Sequence, residues 1–200
     1  MLGETRRPWI DPAALKEKFL TLSARVHPDR VHGASDEEKR AANLRYTELN
    51  AAYQCLRDPK ERLRHLLELE RGARPADVQS IPSGLMDLYL DVSRLCREAD
   101  GFLAGRAAVT SPLLRVGMFE GGQELTDKLQ AFVRGLDVRR QSLAEEVKIL
   151  NAGWADPAAA DSPGRAVTLA RLEELWRLFG YYGRWIGQIQ ERVVQLAVTA

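Results

Sequence analysis

Apolar residues recur along this chain at helical spacing almost from end to end. Leu15, Phe19, Leu22 and Val26 fall at i, i+4, i+7 and i+11, which is one face of a helix. Asp11 stands at the N-cap position and Pro12 at the first helical position, where its missing N–H costs nothing. Pro28 closes that helix, because the residue before a proline is pushed out of the α region. A second helix starts at Ser35, whose hydroxyl pairs with Glu38 in a Ser-x-x-Glu capping box, with Asp36 and Glu37 at the positive end of the helix dipole. Its inner face carries Ala42, Leu49, Ala52, Tyr53 and Leu56, and it ends near Arg57. Asp58, Pro59 and Glu61 repeat the start signal, and a third helix runs through Leu63, Leu66 and Leu67 to Gly72, a residue suited to close it.

Pro75, Pro82 and Ser83 mark residues 73–83 as a linker. Beyond it three longer stripes follow. Leu85, Leu88, Val92, Leu95, Ala99 and Phe102 form the first, Leu125, Leu129, Phe132, Leu136, Leu143, Val147 and Leu150 the second, and Leu169, Leu172, Trp176, Phe179, Ile186 and Val193 the third. Gly- and Pro-bearing breaks at 104–122 and 152–164 separate them. No segment alternates with a period of two, so the pattern predicts an all-α protein. Residues 1–72 form a helical hairpin with a short third helix, and residues 84–200 an antiparallel three-helix bundle.

Composition narrows the function classes. The 200 residues are 45% hydrophobic and carry a formal net charge of +1, balanced on both sides of the linker. No basic excess points to nucleic acid. No apolar run reaches the length of about 18 residues that a membrane span needs, and no export signal opens the chain, so the expected location is cytoplasmic. The two cysteines, Cys55 and Cys96, have no Cys or His at ligand spacing and read as packed thiols, with neither metal nor cofactor expected. The three histidines are His27, His32 and His65. His32 reads as a solvated loop residue and His65 as a partly exposed helix position. No phosphate loop or nucleophile elbow occurs, so the chain does not read as an enzyme.

The one constellation that stands out is His27-Pro28-Asp29, at the tip of the predicted hairpin. The preceding helix bears Lys16, Lys18 and Arg25, and the following one contains Asn50-Ala51-Ala52-Tyr53, with Asp58-Pro59 and Arg62 after it. Pro28 fixes the turn, His27 and Asp29 offer a donor and a carboxylate, and Lys18 and Arg25 extend a cationic edge. In isolation the tripeptide could equally be a turn in which Asp29 merely caps.

In this context it resembles the J domain, the module that binds DnaK-type chaperones and stimulates their ATP hydrolysis. The chain is similar, more narrowly, to HscB, the J-type co-chaperone of iron-sulfur cluster assembly. That narrower resemblance rests on Ile10-Asp11 with Leu15 and Phe19, on Val26 through Arg30, and on Asp58-Pro59 through Arg62 to Leu66-Leu67-Glu68-Leu69 and Gly72. It implies that His27, Pro28, Asp29, Lys18 and Arg25 meet an HscA- or DnaK-type chaperone and favour its hydrolysis-competent state. It also implies that the bundle holds an IscU-like scaffold through Leu85, Met86, Tyr89 and Tyr181, with Tyr182 as a rival for the last position.

Only Met1–Asp11 precede the first long helix, so an extended segment anchored by Trp9 is expected where the family has a short helix. After Asp87 and Asp91 the chain turns basic at Arg94 and Arg97, which leaves open a different client. A helical adaptor whose hairpin is only structural is the remaining alternative, and burial of the His-Pro-Asp turn would favour it.

Overall fold

The computed structural model describes residues 1–31, 33–76, 81–154 and 163–198. His32, part of the linker at 77–80 and part of the second break at 155–162 lie outside the described residues. The helices are α1 (Pro12–Val26), α2 (Asp36–Arg57), α3 (Pro59–Arg71), α4 (Met86–Ala108), α5 (Pro112–Gly117), α6 (Phe119–Ala152) and α7 (Pro163–Val198). Short 3-10 turns occupy Pro28–Val31 and Ser83–Leu85. No strand occurs among the described residues, and the fold is all-α.

Local chemistry sets the first three helix ends. The Asp11 carboxylate accepts from the Ala14 N–H, and the Asp58 carboxylate from the Glu61 N–H at 2.9 Å. At Ser35 both halves of the capping box are made. Gly72 closes α3 at φ 69°, in the left-handed region that side chains disfavour. The break expected at 104–122 is shorter than its Gly and Pro content suggests. α4 continues to Ala108, and Pro112 opens α5, because a proline starts a helix as readily as it ends one.

The chain divides into two compact units, Met1–Ala76 with Ala144–Arg177, and Asp77–Leu143 with Leu178–Ala200. In the first, α1 and α2 run antiparallel, with Phe19 stacked on Tyr53 at 4.1 Å and His27 meeting Tyr46 edge-on at 5.2 Å. Leu2, Ile10, Leu15 and Leu49 are buried between them, flanked by Leu22, Val26, Ala52 and Leu56. Met1–Asp11 forms no helix. Leu2, Pro8 and Ile10 anchor this segment more deeply than Trp9, which is half-buried.

The end of α6 and the start of α7 complete that unit. Trp154 is buried, and its Nε1 donates to the Arg6 carbonyl at 2.9 Å. The Trp9 N–H donates to Asn151 Oδ1 at 3.2 Å, and Lys148 Nζ lies 5.4 Å from the Trp9 ring. The Arg165 guanidinium lies 3.2 Å over Trp154 and 3.5 Å from a Glu70 carboxylate oxygen. Arg71 pairs with Glu173, and Arg171 grips Glu146 through two bonds of 2.6 and 2.9 Å.

The second unit is the helical bundle. Lys128 pairs with Glu98, and the Phe102 ring lies so near Gly121 and Gly122 that an added Cβ would meet it at 3.4 Å. α4 and α6 therefore run antiparallel. The pairs Tyr89 with Trp185 and Asp100 with Arg192, and the bond from Arg106 to the Leu196 carbonyl, advance together along both chains, so α4 and α7 run parallel. That is the up-down-up order of a three-helix bundle. Val92, Leu95, Ala99, Leu125, Leu129, Leu136, Ile189 and Leu196 fill its core.

Candidate functional site: a docking turn and an apolar face

His27 ends α1 in an extended conformation, ψ 133°, as a residue before proline must. Pro28 then opens a single 3-10 turn, and the Arg30 N–H closes it on the His27 carbonyl at 3.1 Å. The Asp29 N–H donates to His27 Nδ1 at 3.3 Å. This contact folds the imidazole back over the backbone of its own turn. The Asp29 carboxylate stands 3.5 Å from the same nitrogen, with its side chain 90% exposed against 42% for His27. Arg30 donates to the Ala24 carbonyl at 3.2 Å, which ties the turn back to the last turn of α1. Tyr46 of α2 supports the imidazole ring from the side. The turn is thus accessible and held from both flanking helices, against the condition that would favour a merely structural hairpin.

Arg25 is exposed in the last turn of α1. Lys18 lies on the same helix two turns earlier, but its Nζ donates to the Glu4 carboxylate at 2.7 Å and to the Gly3 carbonyl at 3.4 Å. The bond from Lys18 holds the Glu4 carboxyl below the usual carboxylate range; Arg7 adds to the effect and partial burial opposes it. Of the two predicted cations, one is open and one is engaged by the N-terminal segment.

In the bundle, Met86 and Tyr89 are exposed on α4, at 42% and 38%, with Leu90 beside them at 54%. Leu85 and Tyr181 are buried. Tyr89, Tyr181 and Tyr182 converge on the buried Trp185, with ring centroids 6.5, 5.7 and 6.0 Å away. Tyr89 and Tyr181 therefore belong to one aromatic cluster, of which Tyr89 alone offers substantial surface. Arg94 and Arg97 are exposed further along α4, and Arg94 pairs with Asp91 at 2.8 Å.

Three residues with structural weight at these sites escaped the sequence reading: Tyr46, Trp154 and Trp185. Arg62 was visible only as part of a motif, and its role is a buried one. Its Nε donates to the Pro8 carbonyl at 2.9 Å and its Nη1 to the Leu56 carbonyl at 2.7 Å. His65 is exposed. Cys55 and Cys96 are free, and burial pushes both thiols up from their ordinary range. No group of three His, Cys, Asp or Glu that could hold a metal occurs among the described residues, and no described helix is long and apolar enough to cross a membrane.

The resemblance to the J domain thus keeps its geometric basis, a His-Pro-Asp turn at the tip of an antiparallel hairpin followed by a capped third helix. No family model matches the chain. It is 35% identical over 166 residues to the co-chaperone protein HscB homolog of Ralstonia nicotianae, covering 82% of each chain. The HscB homolog of Chromobacterium violaceum is 42% identical over 69 residues, 34% of this chain and 39% of its own. The solved chaperone HscB from Vibrio cholerae shares the fold, with a TM-score of 0.52 at 17% identity over 95% of this chain and 94% of that one. The chain belongs to the HscB family of co-chaperones.

Proposed function

We propose that this co-chaperone acts in iron-sulfur cluster assembly. Through His27, Pro28, Asp29 and Arg25, with Lys18 at the edge, it stimulates ATP hydrolysis by an HscA- or DnaK-type chaperone. Through the α4 face at Met86 and Tyr89, backed by Leu85 and Tyr181, it delivers an IscU-like scaffold. The protein performs no chemistry itself, works in the cytoplasm, and divides the labour between residues 1–72 and 84–200. The observation that carries the reading is the turn itself: Asp29 at 90% exposure on a backbone fixed by proline, with His27 held beside it by the contact between the Asp29 N–H and Nδ1. A turn pre-organised in this way loses little conformational entropy on docking.

The test is the ATPase rate of the chaperone, measured with this protein and with or without the scaffold. Stimulation that rises further when the scaffold is added supports both partners. His27→Gln, at a half-exposed position, should leave the fold intact and abolish stimulation; unchanged stimulation overturns the docking role. A second reading keeps the chaperone and changes the client, and the exposed Arg94 and Arg97 favour it. Capture by Met86 and Tyr89 of a protein other than the scaffold, lost in Met86→Ala and Tyr89→Ala, selects that reading.

A further inference from the structure

Arg62 is only 6% exposed, and a guanidinium buried that deeply is ordinarily matched by a carboxylate. Here both of its bonds end on neutral backbone carbonyls, those of Pro8 and Leu56. Burial lowers its proton affinity, and Asp58 acts on it only through space, the Asp58 carboxylate being bound to the Glu61 N–H. The Arg62 Nη2 donates to no described residue. The charge of Arg62 is therefore uncompensated by contact.

The same side chain lines a cavity of about 350 Å³ with Lys16, Arg57, Tyr53, Pro12 and Leu15. Lys16 and Arg57 are exposed, and neither forms an ion pair among the described residues. Three cations and a phenol thus surround one hollow that has no carboxylate in its lining. Solvent screens the exposed Lys16 and Arg57, while Arg62 is shielded from it, so an anion seated among them would be attracted by all three. A single carboxylate would offset only one of the three, whereas a phosphate-type dianion offsets two. Its oxygens can accept from the Arg57 guanidinium, the remaining Arg62 Nη2, the Lys16 ammonium and the Tyr53 hydroxyl, all of which are donors.

We infer that this cavity, formed by the start of α1, the end of α2 and α3, binds a phosphate-type dianion. It is separate from the docking turn, since Lys16 precedes His27 by about 16 Å along α1. The site joins the three helices of the hairpin unit at the end opposite its tip, so an occupant would brace the unit without covering His27.

Inorganic phosphate is the first probe, titrated into the full chain at constant ionic strength against sodium chloride and followed by backbone amide shifts. The expected result is a saturable shift at Lys16, Tyr53, Arg57 and Arg62. Lys16→Ala and Arg57→Ala, both at exposed positions, should keep the folded spectrum and weaken binding about tenfold each, as for loss of a charge-assisted bond. Arg57→Lys should recover part of it. Arg62 is left intact because it also holds Pro8 and Leu56. O-phosphoserine as a second probe separates a free ion from a phosphate carried on a larger molecule, according to which of the two binds more tightly. A response that chloride reproduces, or one that both alanine variants retain, overturns the inference.

Discussion

Replacing Arg62 with methionine removes a charge but keeps the length of the side chain, and so isolates what the guanidinium does. Two bonds are lost, to the Pro8 and Leu56 carbonyls at 2.9 and 2.7 Å. Each leaves a carbonyl without its donor, buried at Pro8 and half-buried at Leu56, and hydrogen bonds from charged donors contribute about 1.5–3 kcal/mol apiece. The opposing term is desolvation: burial already lowers the proton affinity of Arg62, so its removal relieves a cost of the folded state. The balance should be a loss of about 2–4 kcal/mol, a large share of the 5–15 kcal/mol typical of a domain. Because the chain forms two units, the loss must be read locally. Amide hydrogen exchange should accelerate through α1 and α2 and remain at the parental rate in the central turns of α4. Arg62→Lys, which keeps a donor but not the fork, should fall between the two. Parental exchange in α1 and α2 of Arg62→Met would show that the two carbonyl bonds contribute nothing, and the account of this unit would fail.

The Glu4 carboxyl is held down chiefly by Lys18, so its contribution is fully present above the ordinary carboxylate range and is lost as pH falls through the lowered value. Protection of Met1–Asp11 from proteolysis should therefore drop on acidification, and Glu4→Gln should flatten that profile at reduced protection; an identical profile in Glu4→Gln would refute the assignment. Trp154→Ala should cost about 3–5 kcal/mol in urea unfolding, and Trp154→Phe about 1–2 kcal/mol through loss of the bond to Arg6. A fragment ending at Ala76 lacks Asn151, Trp154 and Arg165, and it should melt well below the full chain; equal melting temperatures would mean that those contacts add no stability.

The signals in the sequence were legible in proportion to how local they are. The caps at Asp11, Ser35 and Asp58 and the stop at Gly72 involve residues within four positions of one another, so their spacing alone predicts the bonds that form. The His-Pro-Asp turn was equally visible, because proline sets both its own backbone and that of His27. Periodicity then marks a buried face without naming what lies against it. Trp154 sits in a predicted break, and its partners, Arg6 and Arg165, are respectively far away in sequence and across the second break. Tyr181 lies off the stripe that named the third bundle helix, yet Trp185 extends the buried arc to include it. Tyr46 had no signal beyond being aromatic, since an edge-on contact with His27 depends on the register of two helices.

The N-terminal segment shows what this non-local part accomplishes. A helix at that position would satisfy its own backbone groups, whereas an extended strap cannot, and interior backbone groups without partners are expensive. Here the partners are side chains drawn from elsewhere in the same unit: Lys18 for the Gly3 carbonyl, Trp154 for Arg6, Arg62 for Pro8 and Asn151 for the Trp9 N–H. Four bonds, from α1, α3, the end of α6 and Trp154 just beyond it, thus do what a run of i to i−4 bonds would do in a helix, while Leu2, Pro8 and Ile10 supply the apolar cover. The strap consequently fixes Lys18 and leaves Arg25 and the turn at His27 open.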